Sequence, residues 1–212
     1  MIDVDATVHI VDDDAAFLSA AARLLRASGF AVKTFGSAIA FLTERDENAP
    51  GCVLVDLQMP GMNGLELQAA LTPSENPLPI LFLTGHGDIP STVRAMRDGA
   101  EDFLEKRAPK AQLLAAVKRA LERDARERQV RQHRRELRTR FDMLTQRELE
   151  VLGHVVQGRL NKQIAGDLGI HERTVKLHRT AITTKLRVQS VAELTRLTDE
   201  AGVFTGVAPT CP

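Results

Sequence analysis

Polar and apolar positions fall into two regimes along the chain. Through residue 105, short apolar runs recur as TVHIV (7–11), AVKTF (31–35), CVLVD (52–56), PILFL (79–83) and DFLE (102–105). Runs of this length, rich in Val, Ile and Phe, predict strands, and the unbroken ones predict strands buried on both faces. Helix-length stretches lie between them. Residues 15–28 are stopped by Gly29, 65–71 by Pro73 and 89–97 by Gly99, while Ser37 and Asp88 stand where N-caps belong. Five such β/α units predict a parallel five-stranded α/β sheet, wound on both faces by helices.

The second regime begins at Lys110. KRALERDARERQVRQHRRELRTRFD (118–142) lacks Gly and Pro, which predicts one long helix continuing from that point. Large apolar positions thin out after Leu121 to Val130, Leu137 and Phe141, too few heptads for a coiled coil. A solvated spacer helix is the expectation for this charge run, with a helical signalling arm or a phosphate-touching arm as the alternative. From Met143 the pattern is helical throughout. Thr145 to Glu148 forms a capping box for a helix ended by Gly158, Asn161 to Leu168 predicts a short helix ended by Gly169, and Glu172 to Leu186 predicts a third. Ser190 to Glu193 reads as a further capping box, so a small four-helix unit with a helix-turn-helix is predicted.

Candidate chemistry lies at the strand ends. Residues 7–11 run into Asp12, Asp13 and Asp14; the third strand ends on Asp56; the fourth reaches Thr84; the fifth reaches Lys106. An Asp can simply begin a turn, and Met59-Pro60-Gly61 after Asp56 suits one. In open parallel sheets, however, ligands bind beyond the carboxyl ends of the strands, so the polar endings are expected to converge. Three crowded carboxylates call for a cation, and all-oxygen ligands suit Mg2+ (or Mn2+). The amine and hydroxyl are natural partners for phosphate, and a carboxylate can itself be the phosphoryl acceptor, for which Asp56 is the candidate.

Asp12-Asp13, Asp56 with its Met-Pro-Gly, Thr84, and Phe103 three residues before Lys106 resemble the receiver domain of two-component response regulators. That resemblance implies a flavodoxin-like fold over residues 5–122. It implies that Asp56 takes phosphate from a sensor histidine kinase, with Mg2+ held by Asp13, Asp56 and the backbone carbonyl of Gln58, and Asp12 behind them. Thr84 and Phe103 would be the switch pair and Lys106 the phosphate partner. Members usually place a proline after this lysine, preceded by a cis bond. Here Arg107 stands in that place, so a trans bond is expected.

On the third C-terminal helix, Val175, His178, Ile182 and Leu186 form the expected core stripe, leaving Arg173, Lys176, Leu177 and Thr180 opposite. Two cations, a hydroxyl and an uncovered leucine suit a major groove, where Lys reaches guanine and an apolar tip meets the thymine methyl. LTQRELEVL, GRLNKQIAGDLGIHERTVKLHR and SVAEL resemble the LuxR-type helix-turn-helix over residues 143–205, leaving 123–142 as the charged helical linker. The resemblance implies that Lys176, Leu177 and Thr180 face bases while Lys162, Arg173 and Thr174 hold phosphates. His171 stands where relatives put a Ser or Thr cap.

Composition agrees with two units of opposite charge. The 212 residues carry 28 basic and 28 acidic side chains, yet residues 1–110 hold 9 basic against 16 acidic, and residues 111–212 hold 19 against 12. The basic half is expected to meet a polyanion. No apolar run approaches membrane-spanning length, so a cytoplasmic protein without a membrane partner is expected. Cys52 in a buried strand and Cys211 in the tail are expected to be ordinary thiols. No histidines show metal spacing. His9 lies in a strand and His133 in the charged helix, and His86, in TGHGD beside the proposed site, is the one to test.

The expectation is a FixJ/NarL-type transcriptional regulator rather than an enzyme, acting with double-stranded promoter DNA, RNA polymerase and a second copy of itself. Three alternatives compete: a magnesium-dependent phosphatase with an aspartyl nucleophile, a regulator that works without phosphorylation, and a ligand-sensing regulator of the quorum type. The phosphatases resemble Asp-x-Asp, whereas Gln58 occupies the second position. A ligand-sensing quorum regulator would need an aromatic-lined pocket, and the chain has no Trp or Tyr.

Overall fold

The computed structural model describes residues 6–74, 76–85 and 89–204. His86, Asp88 and Cys211 lie outside them. The chain divides into two compact units, one up to Arg128 and one from Gln129.

In the first unit β1 (Thr7–Val11), β2 (Ala31–Phe35), β3 (Gly51–Asp56), β4 (Ile80–Thr84) and β5 (Asp102–Glu105) form a parallel sheet in the order β2-β1-β3-β4-β5. Every residue of β3 and β4 is buried, as the unbroken apolar runs require; β2, at the edge, is mostly exposed. Side chains alternate between two cores. Val8, Ile10, Cys52, Leu54, Leu81 and Leu83 pack with α1 (Ala15–Ala27) and α5 (Lys110–Phe141). Phe35, Val53, Val55, Ile80 and Phe82 pack with α2 (Ala38–Glu44), α3 (Gly64–Leu71) and α4 (Ile89–Arg97).

Local chemistry sets the helix starts. Ser37 caps α2 by accepting from the Ala40 amide, and Asn63 closes a capping box with Glu66 at the start of α3. Gly64 is required by a close approach: a Cβ there would run into the Asp56 carbonyl and stand 2.9 Å from the Phe82 ring. The start of α3 therefore lies directly against the end of β3.

The second unit holds the tail of α5, then α6 (Gln146–Val156), α7 (Asn161–Leu168), α8 (Glu172–Leu186) and α9 (Val191–Ala201). Leu137 and Phe141, the last apolar residues of the charge run, are buried in its core with Val151, Leu152, Ile164, Val175, Ile182 and Leu194. Val130 is exposed. The expectation of a solvated spacer thus holds for Val130 but not for the residues near the end of α5, because their i, i+4 spacing gives one face that the C-terminal helices cover. Gly169, at φ 64°, makes the left-handed turn between α7 and α8. His178, expected in the core stripe, is only half buried. At α9 the box is shifted: Ser190 accepts from the Glu193 amide, but the Glu193 carboxylate accepts from Gln189, one residue before the cap.

Candidate functional site

Strand order reverses at β1, which has β2 on one side and β3 on the other, so a crevice opens beyond the ends of β1 and β3. Asp12 leaves β1 there and Asp56 ends β3, both buried, while Asp13 is exposed. One carboxylate oxygen from each of the three lies within 4.8 Å of the others. Thr84, at the end of β4, is 2% exposed.

Lys106 enters from the loop after β5. Its amide donates to the Thr84 carbonyl at 2.8 Å, tying the loop to the end of β4. Its ammonium stands 2.6 Å from Asp12 Oδ2 and donates to Asp56 Oδ2 at 3.0 Å. Among the described residues no peptide bond is cis, so Lys106 reaches both acids with Arg107 behind it and a trans bond between them.

One ammonium among three carboxylates cannot neutralise them all. Burial pushes the Asp12 carboxyl up from its ordinary range, partly countered by the hydrogen bond from Lys106. For Lys106 burial is the largest single influence and works against the charge, but the hydrogen bonds to Asp12 and Asp56 and the charges of those acids together outweigh it and raise its pKa. The lysine is therefore held charged, and the cluster keeps surplus negative charge. A hard cation with oxygen ligands fits this donor set.

The remaining site residues sit as follows. The Gln58 amide donates to Asp56 Oδ1 at 3.4 Å, and its side chain is exposed. Phe103 on β5 is half buried and stacks on Phe82 with ring centroids 5.8 Å apart. Two residues that sequence reasoning passed over shape the corner: Asp14 caps α1 by accepting from the Ala16 and Phe17 amides, and the Phe17 ring lies 4.6 Å from the Lys106 ammonium. An Asp just before a helix is a cap signal that could have been read; nothing in the spacing marks Phe17.

In the second unit, Arg173, Lys176, Leu177 and Thr180 are exposed on α8 at three- and four-residue steps, with Leu177 65% exposed. Lys176 has only a 3.9 Å approach to Glu172. Thr174 is half buried and Lys162, on α7, is exposed. His171 caps α8 in position but makes no side-chain hydrogen bond to it. The α6–α8 packing is pinned by Lys185, which donates to the buried Glu148 at 2.7 Å and draws that carboxyl below its ordinary pKa. No helix among the described residues is long and apolar enough to cross a membrane.

Comparison with known proteins bears on both units. The model for the response regulator receiver domain matches residues 8–118, and that for bacterial regulatory proteins of the luxR family matches residues 142–198. The chain is 42% identical over 199 residues to the response regulator protein TmoT of Ectopseudomonas mendocina, covering 94% of this chain and 90% of that one. It is 43% identical over 202 residues to the transcriptional regulatory protein FixJ of Azorhizobium caulinodans, covering 95% and 94%. Among solved structures, the response regulator StyR aligns with a TM-score of 0.78 at 46% identity, covering 92% of this chain and 99% of that one. Full-length FixJ from B. japonicum aligns at 0.57 and 36% identity, covering 94% and 98%.

Proposed function

The chain belongs to the response regulators that join a receiver domain to a luxR-family DNA-binding domain, and from that membership we propose how its residues carry out phosphorylation-dependent control of transcription. The observation that carries the reading is Lys106, which holds its ammonium on Asp56 and Asp12 beside an exposed third carboxylate, Asp13.

Asp56 is the acceptor. One of its carboxylate oxygens bonds to phosphorus as the P–N bond to the kinase imidazole breaks; the electron pair leaves with the imidazole nitrogen, which takes up a proton. Asp13, Asp56 and the Gln58 carbonyl would hold Mg2+ (or Mn2+), with Asp12 behind them; the ion would supply charge neutralisation for the incoming phosphoryl group. Lys106 pairs with a phosphoryl oxygen, which relieves the charge it now shares with two acids. Thr84 and Phe103 report the change by altering their packing at the ends of β4 and β5.

In the second unit, Lys176, Leu177 and Thr180 read bases while Lys162, Arg173 and Thr174 hold phosphates. Two copies on a palindromic site add their half-site energies, and the assembled dimer meets RNA polymerase in the cytoplasm.

The test is the intact mass of the protein after incubation with Mg2+ and acetyl phosphate. Wild type gains one phosphoryl group, and Asp56→Asn gains none. A phosphoryl group retained in the variant would overturn the acceptor assignment.

A further inference from the structure

The site has a feature that acceptor chemistry alone does not require. Lys106 is a flexible side chain next to Arg107, whose backbone no ring constrains, and its ammonium meets two members, Asp12 and Asp56, of a three-carboxylate cluster in which one oxygen from each acid lies within 4.8 Å of the others. Its placement on Asp12 and Asp56 needs a cause. The Phe17 ring, 4.6 Å from the ammonium, is within the range of a favourable cation–π contact.

That ring is itself held in register with the acids. The Asp14 amide donates to Asp12 Oδ1 at 2.9 Å, and the Asp14 carboxylate accepts from the amides of Ala16 and Phe17 at 2.8 and 3.1 Å. The turn that places Asp12 therefore also places Phe17. The body of the ring is anchored by packing with the α1 and α5 core.

We propose that Phe17 is a positioning residue for phosphoryl transfer, its ring holding the Lys106 ammonium on Asp12 and Asp56. The proposal rests on the reading of Asp56 as acceptor. It assigns to an aromatic side chain on α1 the task of aiming the side chain of a lysine whose loop is tied to β4 through its backbone amide. A leucine would fill much of the volume but lacks the negative ring face; a tyrosine keeps that face. A groove of about 320 Å3 bordered by Phe17, Leu24, Ala108 and Leu113 adjoins the ring.

The experiment measures the rate of phosphoryl adduct formation from acetyl phosphate at saturating Mg2+ in full-length wild type, Phe17→Leu and Phe17→Tyr. It also records the proton shifts of the Lys106 ε-methylene before phosphodonor is added. The expected result is a rate about fivefold lower for Phe17→Leu, the equivalent of a contact worth about 1 kcal/mol, with Phe17→Tyr close to wild type. The ε-methylene protons should be displaced upfield by the ring in wild type and Phe17→Tyr and return to ordinary values in Phe17→Leu. Equal loss of rate in both variants would mean that Phe17 only packs, and would overturn the proposal. So would a wild-type rate in Phe17→Leu, or ε-methylene shifts that ignore the substitution. Failure of wild type itself to form an adduct would instead overturn the acceptor reading, and the transfer role with it.

Discussion

At the scale of single residues, His9 shows how little an isolated letter says. It lies in β1, 3% exposed, against the Phe35 and Phe41 rings with centroids 5.9 and 5.4 Å away. Burial, then the charges of Lys33 and Arg45, lowers its pKa to about 4. The folded protein thus refuses a proton that the unfolded chain accepts below about 6.5. Stability from this source is intact at neutral pH, falls as pH drops through 6.5, and stops falling near 4, by about 3 kcal/mol at most. Urea unfolding of wild type and His9→Leu at pH 7 and at pH 4.5 checks this: the acid-induced loss should be smaller in the variant. An equal loss in both would place the acid sensitivity elsewhere. Asp12, Asp13, Asp56, Thr84 and Lys106 were legible because each comes just after an apolar run whose direction predicts where it ends. Phe17 and His9 were not, because what each touches comes from other elements.

Elements were the most legible level, and their joints the least. The strand TVHIV and the helix Glu172–Leu186 occur with the predicted bounds, because alternation, caps and glycine stops are local signals. The long helix α5 was legible as a helix but not in what holds it. Asp124 is 1% exposed; its Oδ2 accepts from the Gly51 amide at 2.9 Å and from Arg128 Nε at 2.7 Å. Arg128 also donates to the Asn48 and Ala49 carbonyls at 2.7 and 2.6 Å. A charge run expected to be solvated therefore begins with a buried clasp on the loop before β3. Asp124→Ala would leave the Gly51 amide without its acceptor and the guanidinium without its carboxylate partner, and should destabilise the receiver by about 3 kcal/mol. Chemical denaturation monitored by circular dichroism measures it; a change under about 0.5 kcal/mol would show that the clasp is incidental.

For the whole molecule, an acidic half and a basic half identify a partner class rather than a sequence preference. On the proposed reading, specificity belongs to the exposed α8 side chains Lys176, Leu177 and Thr180. Lys176→Ala should weaken binding to the target promoter by about 1–3 kcal/mol while changing binding to bulk DNA much less. Fluorescence anisotropy with specific and nonspecific duplexes over a range of salt distinguishes these; equal weakening on both would make Lys176 a phosphate contact. The parallel α/β sheet, the helical C-terminal unit and the convergence of the strand-end carboxylates were legible in the chain, because periodicity, caps and turn residues act over a few positions. Folding alone brought Lys106 between Asp12 and Asp56, laid Phe17 against it, carried Asp124 to Gly51 and buried Leu137 and Phe141. These outcomes depend on which side chains distant in sequence are brought together out of water, where an ion pair, an ammonium over a ring or a buried carboxylate gains a strength that no local pattern encodes.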